Sequence, residues 1–179
     1  MAEFLWIFWS FSLLGWVLER LFAAVTRSPR RRRRCLLLLP LCPVYGLGMA
    51  AVLALPPSLR SGWPLYLWGG LTATSVEYIY HWWGETFLSV SFWDYTGVFG
   101  NFRGRVCLPF SLAWGLLLFP AVYLVTPPVV ALADRVPVGV TWWLLLAFTA
   151  DAVCSLRFLA VTHDLEALRA VIWPVSGDR

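Results

Sequence analysis

The chain reads as an all-α, polytopic membrane bundle of about five transmembrane helices with a re-entrant or amphipathic cytoplasmic element. It forms one integral membrane domain over residues 1–179. Three observations carry that reading. Of its 179 residues 60% are hydrophobic and only 13% charged, with mean hydropathy +0.71, which lies outside the range of soluble globular chains. Five apolar segments, at roughly 4–25, 35–55, 65–83, 108–126 and 138–160, are each long enough to cover a hydrocarbon core of roughly 30 Å at about 1.5 Å per residue. The charge between them is placed unevenly, as membrane topology requires.

The first segment follows the acidic Glu3 and precedes a basic cluster, the order of a retained anchor and the reverse of a cleaved signal peptide. That cluster, TRSPRRRRR from Thr26 to Arg34, holds six arginines and is expected in the cytoplasm. Clustered arginines beside a span also attract anionic lipid heads or phosphorylated ligands. As a nucleic-acid patch the run would be out of place there, so membrane lipids are expected partners and nucleic acid is not. Counting onward, the 56–64 loop with Arg60 falls outside, 91–106 with Arg103 and Arg105 inside, 127–137 with Arg135 outside, and the tail 161–179 inside. The N-terminus is therefore expected outside and the C-terminus in the cytoplasm.

The second segment contains PLCPVYGLG, Pro40 to Gly48. Pro40 and Pro43 remove backbone donors, while Gly46 and Gly48 around Tyr45 admit close backbone approach, so a helix break is expected here. Broken helices border ligand sites in transporters, and kinked packing without a ligand is as common.

The third segment carries the chain's most unusual feature. Glu77, His81 and Glu85 recur every four residues and stack on one helix face. Entering at Leu65, that helix would place Glu77 roughly 18 Å deep, His81 roughly 24 Å and Glu85 roughly 30 Å, with Glu19 of the first segment roughly 22 Å deep, at about 1.5 Å per residue. A charge at mid-membrane costs about 2.5 to 3.5 kcal/mol on insertion scales and is paired or faces a cavity. Three readings are open: a structural polar core, a site binding or moving a cation, proton or amine, and acid–base or metal-assisted catalysis. ExxxHxxxE matches no known metal motif, and HExxH and GxSxG are absent, so the identity of any metal stays unknown at this point.

Beyond Glu85 the stretch SFWDYTGVFGNFRGRVC has Gly97, Gly100, Gly104 and Asn101 to break a helix, with Phe92, Trp93, Tyr95, Phe99 and Phe102 to hold it against the bundle. Asp94 is expected to pair with Arg103 or Arg105 and latch this element over a cytoplasmic mouth. In the last segment Asp151 lies near mid-membrane and Arg157 reaches the interface.

Composition excludes several chemistries. All 14 basic residues are arginine, so a Walker phosphate loop, a Schiff base and a serine–lysine dyad have no lysine to use, and an ATP-driven step would need a separate ATPase subunit. No cofactor is indicated. Cys35, Cys42, Cys107 and Cys154 form no CxxC pair and read as small buried apolar residues, not as a disulfide framework.

Gly15-Trp16 with Glu19, the run Cys42 to Gly48, Glu77-Tyr78 with Glu85, then Trp93-Asp94-Tyr95, Asn101 and Gly104 to Leu108 carry a resemblance. Over residues 4–118 the chain resembles the prokaryotic CmpB-like family of ABC-transporter type IV membrane proteins, WDY followed by N and GR-C-L being the specific part. Cys35-Leu36 and the residues Leu39 and Leu41 flanking Pro40 depart from the family pattern. The resemblance implies a permease-like protein of the prokaryotic plasma membrane. The reading that follows is a permease-like component binding a solute or ion through Glu19, Glu77, His81 and Glu85. Trp93, Asp94, Tyr95, Asn101, Arg103 and Arg105 would form its gate, and Pro43, Tyr45, Gly46 and Gly48 its helix break. An intramembrane enzyme acting on an amphiphilic or lipid-linked substrate, and an accessory structural subunit, are the alternatives. So short a chain encloses little volume, and a homo-oligomer or heteromeric complex is expected.

Overall fold

The computed structural model describes residues 2–26 and 35–170. The arginines from Arg27 to Arg34, on which the topology argument leans, and residues 171–179 of the tail lie outside the described residues. Helix α1 is Ala2–Thr26 and α2 is Pro43–Leu53. Helix α3, Gly70–Trp83, is the middle of a continuous rod over 62–88, because π-helical turns at Leu65–Gly69 and Gly84–Leu88 extend it without a break. Helix α4 runs Leu108–Ala133 and contains a third π turn, Ala121–Val125, directly after Pro120. The Thr126 hydroxyl there donates to the Ala121 carbonyl at 2.8 Å, five residues back. Helix α5 is Val138–Thr162 and α6 is Leu165–Ala170. Between the rod and α4 lie two short antiparallel strands, β1 (Asn101–Phe102) and β2 (Val106–Cys107), with Asn101 opposite Cys107.

Three helices among the described residues are long and apolar enough to cross a membrane: Ala2–Val25, Leu108–Ala133 and Val138–Thr162. That is fewer than the five expected. The 65–83 segment is helical throughout, and Glu77, His81 and its hydroxyl-bearing residues make it less apolar than those three. The 35–55 segment needs a deeper correction, since only Pro43–Leu53 is α-helical there, about 16 Å at 1.5 Å per residue. The cause is local chemistry. Proline fits the first helical position, where its missing N–H costs nothing, and it biases the residue before it toward extended backbone. Cys42 is extended, with φ −115° and ψ 90°.

The preceding residues 35–42 close on themselves. Cys35 and Cys42 are joined by a disulfide, with Cα atoms 5.1 Å apart, which corrects the expectation of free buried thiols for this pair. Their spacing matches no pairing motif, and it is the bend between them that brings them to bridging distance. Cys107, buried, and Cys154, exposed, are not disulfide-bonded.

This irregular segment sits at mid-height in the bundle. The Cys42 N–H donates to the Ser12 carbonyl at 2.9 Å, halfway along α1. The Leu38 and Leu39 N–H groups donate to Asp151 Oδ1 at 3.2 Å and Oδ2 at 3.0 Å, halfway along α5, and Ser155 Oγ donates to the same Oδ1 at 3.2 Å. Non-helical backbone at such a depth persists only where protein satisfies its polar groups, and Asp151 does so for two of them. An acid in the middle of an apolar helix is explained by that.

Helices α1 and α2 pack closely. A Cβ on Gly15 would collide with the Tyr45 ring, and one on Gly46 with the Phe8 carbonyl, so both positions must be small. Apolar packing gathers in two clusters. One surrounds Phe92, Cys107 and Leu159 at the end carrying the 89–107 loop; the other surrounds Val52, Leu65 and Met49 at the opposite end.

Candidate functional site

The periodicity of Glu77, His81 and Glu85 holds, and the three lie along one side of α3 and the π turn that extends it. Their surroundings grade along the rod. Glu77 and His81 are buried, at 2% and 1% exposure, whereas the Glu85 side chain is 36% exposed.

Around Glu77 three elements converge. Tyr95 Oη, from the 89–107 loop, donates to Oε1 at 3.2 Å, and Trp114 Nε1, from α4, donates to Oε2 at 2.8 Å. The Trp114 ring meets Tyr45 edge-on at 5.3 Å, and the Tyr45 hydroxyl donates in turn to Glu19. Glu19 is thus linked toward Glu77 through an aromatic pair, whereas depth arithmetic set it level with His81. The helix-break residues divide their work. Pro43 starts α2, Gly46 admits α1, Tyr45 bonds Glu19 and packs on Trp114, and Gly48 faces open space.

That open space is a cavity of about 340 Å³. Its floor is Tyr45, Gly48 and Met49 of α2 with Ala73 and Glu77 of α3, and its walls are α1 and α4. Apart from Glu77, Tyr45 and Trp114 its lining is apolar. Pockets of this kind, mostly apolar with a few convergent polar groups, are where ligands bind.

Two turns further along, Glu85 is engaged differently. Arg105 Nε donates to Oε2 at 2.7 Å, Arg105 Nη1 donates to Tyr78 Oη at 2.8 Å, and the guanidinium lies 5.1 Å from the centre of the Tyr78 ring. His81 Nε2 lies 3.2 Å from Glu85 Oε1 and 3.3 Å from Ser91 Oγ. Ser91 also donates to the Trp93 carbonyl at 3.0 Å, and Trp93 Nε1 donates to the Arg105 carbonyl at 2.7 Å. The loop is therefore sewn to the rod through Arg105.

Among the described residues the arginine contact expected for Asp94 falls to Glu85 instead. Asp94 Oδ1 accepts the Thr96 N–H at 2.8 Å, and hydrogen bonds from the Thr96 side chain and backbone hold its carboxyl below the usual carboxylate range. The turn packs on Gly104, where a Cβ would press on Asp94 and Thr96, and the Tyr95 N–H donates to the Gly104 carbonyl at 2.8 Å. Gly104 has φ +68° and Arg103 φ +54°, as the tight reversal between the strands demands. Asn101 Oδ1 accepts the Gly104 N–H at 3.3 Å, while Arg103 lies over the Phe102 ring. WDY, N and GR are hence parts of one loop, each supporting the others.

Ser91 and Glu85 both meet the same nitrogen of His81, whereas a nucleophilic triad needs hydroxyl and carboxylate on opposite ring nitrogens. Among the described residues no group of three or more His, Cys, Asp or Glu side chains is placed to hold a metal ion.

The family model described as Putative ABC-transporter type IV matches residues 6–156. The chain belongs to this family. The match covers every site residue named above and continues past the 4–118 resemblance to take in Asp151. With the three apolar helices it makes the chain an ABC-transporter-type membrane protein. No curated protein and no solved structure matches the chain. Sequence reasoning passed over Trp114, Tyr78 and Ser91. Trp114 carries no local signal, being one aromatic among many in an apolar helix, while Tyr78 sits one residue from Glu77 and was visible only as a motif neighbour.

Proposed function

We propose that the chain is a permease-like component of a prokaryotic plasma-membrane transport system. It binds a small solute or ion at Glu77 and works with a separate ATPase subunit in an oligomeric or heteromeric assembly. The chain is multi-pass, with its N-terminus outside and its C-terminus in the cytoplasm. The observation that carries this reading is a buried carboxylate on the floor of a cavity in a membrane protein of the ABC-transporter type. Intramembrane ionisable groups that face a cavity mark ligand pathways. Glu19, through Tyr45, is the counter-group on the facing side. Arg105 and Glu85, together with the loop carrying Trp93, Asp94, Tyr95, Asn101 and Arg103, hold the element that closes one end.

The test is native mass spectrometry of the full chain recovered in nanodiscs with its accompanying subunits, comparing wild type with Glu77→Gln. An ATPase subunit is expected in both preparations. Retained small ligand is expected to fall about tenfold or more in the variant, equivalent to roughly 1.4 kcal/mol of binding. Recovery of the chain alone, with identical ligand content in both preparations, would sink the proposal.

A further inference from the structure

The lining of the cavity says more about its occupant than the carboxylate alone, on the reading that Glu77 is the binding group. Leu14 and Leu18 of α1 face Leu117 and Leu118 of α4 across the space. A hydrated ion or polyhydroxylated solute would lose water against these walls without replacement, at several kcal/mol for each polar group left unpaired.

The way in is equally apolar. Helices α1 and α4 touch near both ends of the gap. Phe22 meets Phe110 edge-to-face at 5.9 Å at one end, and α1 packs against Thr126–Ala133 at the other. What lies between is a window in the side of the bundle. Leu14, Leu18, Leu21 and Leu117 at its edge are 39–60% exposed, on a surface that faces hydrocarbon in a membrane. Gly48 lies behind it; although buried, it has room for a Cβ with nothing within 4 Å, so the space in front of it belongs to the cavity.

Apolar contact by itself does not draw a molecule out of a bilayer, because lipid tails are as apolar as leucine. Retention has to come from the polar group, and a charge-assisted N–H bond to a carboxylate is roughly twice as strong as a neutral one. The volume, about 340 Å³, lies at the low end of the roughly 300–1,000 Å³ typical of small-molecule sites and holds a compact body. We infer that this site takes a compact lipophilic amine, which enters from the hydrocarbon through the window between α1 and α4 and sets its ammonium against Glu77.

The experiment is equilibrium binding of radiolabelled 1-aminoadamantane to the full chain in nanodiscs, with ethanolamine as a probe that has the charge but no apolar body. Saturable binding of one 1-aminoadamantane per chain is expected, with none of ethanolamine. Gly48→Leu fills the floor and Leu117→Trp narrows the mouth from an exposed position. Each is expected to weaken 1-aminoadamantane at least about tenfold, as is Glu77→Gln. Absence of saturable 1-aminoadamantane binding overturns the inference. So does binding of ethanolamine that is lost in Glu77→Gln and unaffected by Gly48→Leu and Leu117→Trp, an outcome that would leave Glu77 as a polar-solute site. Binding of 1-aminoadamantane that survives Glu77→Gln but not the two obstructions would remove Glu77 from this inference and from the function proposed above alike.

Discussion

Glu77 and Glu85 sit about two turns apart on one helical rod, and they differ in each respect that decides what a carboxylate can do. Glu85 is 36% exposed, ion-paired to Arg105 at 2.7 Å and in contact with His81. Glu77 is 2% exposed, takes hydrogen bonds from a phenol and an indole, and borders a cavity of about 340 Å³. One carboxylate spends its charge fastening the 89–107 loop to the rod. The other fronts a space large enough for a ligand. Residue type and helical spacing are the same for both, so the difference comes entirely from what other elements bring to them: a loop arginine to one, and Tyr95, Trp114 and an apolar window to the other.

Substitutions sharpen that contrast. The largest stability loss is expected from Arg105→Ala, which removes the bonds to Glu85 and Tyr78 together with the Tyr78 ring contact. Bonds to charged groups are the stronger kind, and the partial exposure of Glu85 screens this one without abolishing it. Thermal unfolding in detergent measures this, and an unchanged Tm would show that the pair fastens nothing. A cycle with Glu85→Ala then isolates their coupling, since the residues touch and should not be additive. Tyr95→Phe comes next, at about 0.5–1.5 kcal/mol, because it deletes one neutral donor to Glu77 and leaves the Trp114 bond in place. Arg105→Ala should weaken ligand retention less than Tyr95→Phe, whose lost bond is to Glu77 itself. The reverse pattern would mean that the roles of the two carboxylates are exchanged.

Much of this was legible in the sequence, and what was not has physical reasons. The stripe Glu77, His81, Glu85 was readable because helical periodicity converts spacing directly into a shared face. The break near Pro43 was readable because proline constrains its own backbone and that of Cys42. Of the five expected spans, three stand as helices long and apolar enough to cross a membrane, and elsewhere hydropathy hides irregularity. Residues 35–42 are as apolar as a helix, yet they bend, and the groups that make the bend tolerable, Asp151 and the Ser12 carbonyl, come from distant segments. The pairing of Asp94 failed for a similar reason. Charge and proximity in sequence favoured Arg103 or Arg105, but the turn through Thr96 satisfies Asp94 locally, and the reversal at Arg103 and Gly104 aims Arg105 at Glu85. Trp114 could not have been singled out at all, because a lone indole in an apolar helix reads the same whether it packs or donates.

Asp94 provides the smallest and most discriminating test of the loop. Hydrogen bonds from Thr96 hold its carboxyl below the usual carboxylate range, so the charged form is the one the folded turn favours. Its contribution is then complete above the unfolded value, about pH 4 for aspartate, and fades as pH falls through the lower folded value. Protection of the Thr96 N–H against hydrogen exchange should therefore be flat from about pH 8 to 5 and decline under stronger acid, once the intrinsic exchange rate is allowed for. Asp94→Asn should remove the decline. Because Asp94 is exposed and its partner lies two residues away, the same acid step should persist in Arg105→Ala. Were Asp94 instead the latch to Arg105, losing the arginine would abolish the step, and the division of labour between Glu85 and Asp94 would have to be redrawn.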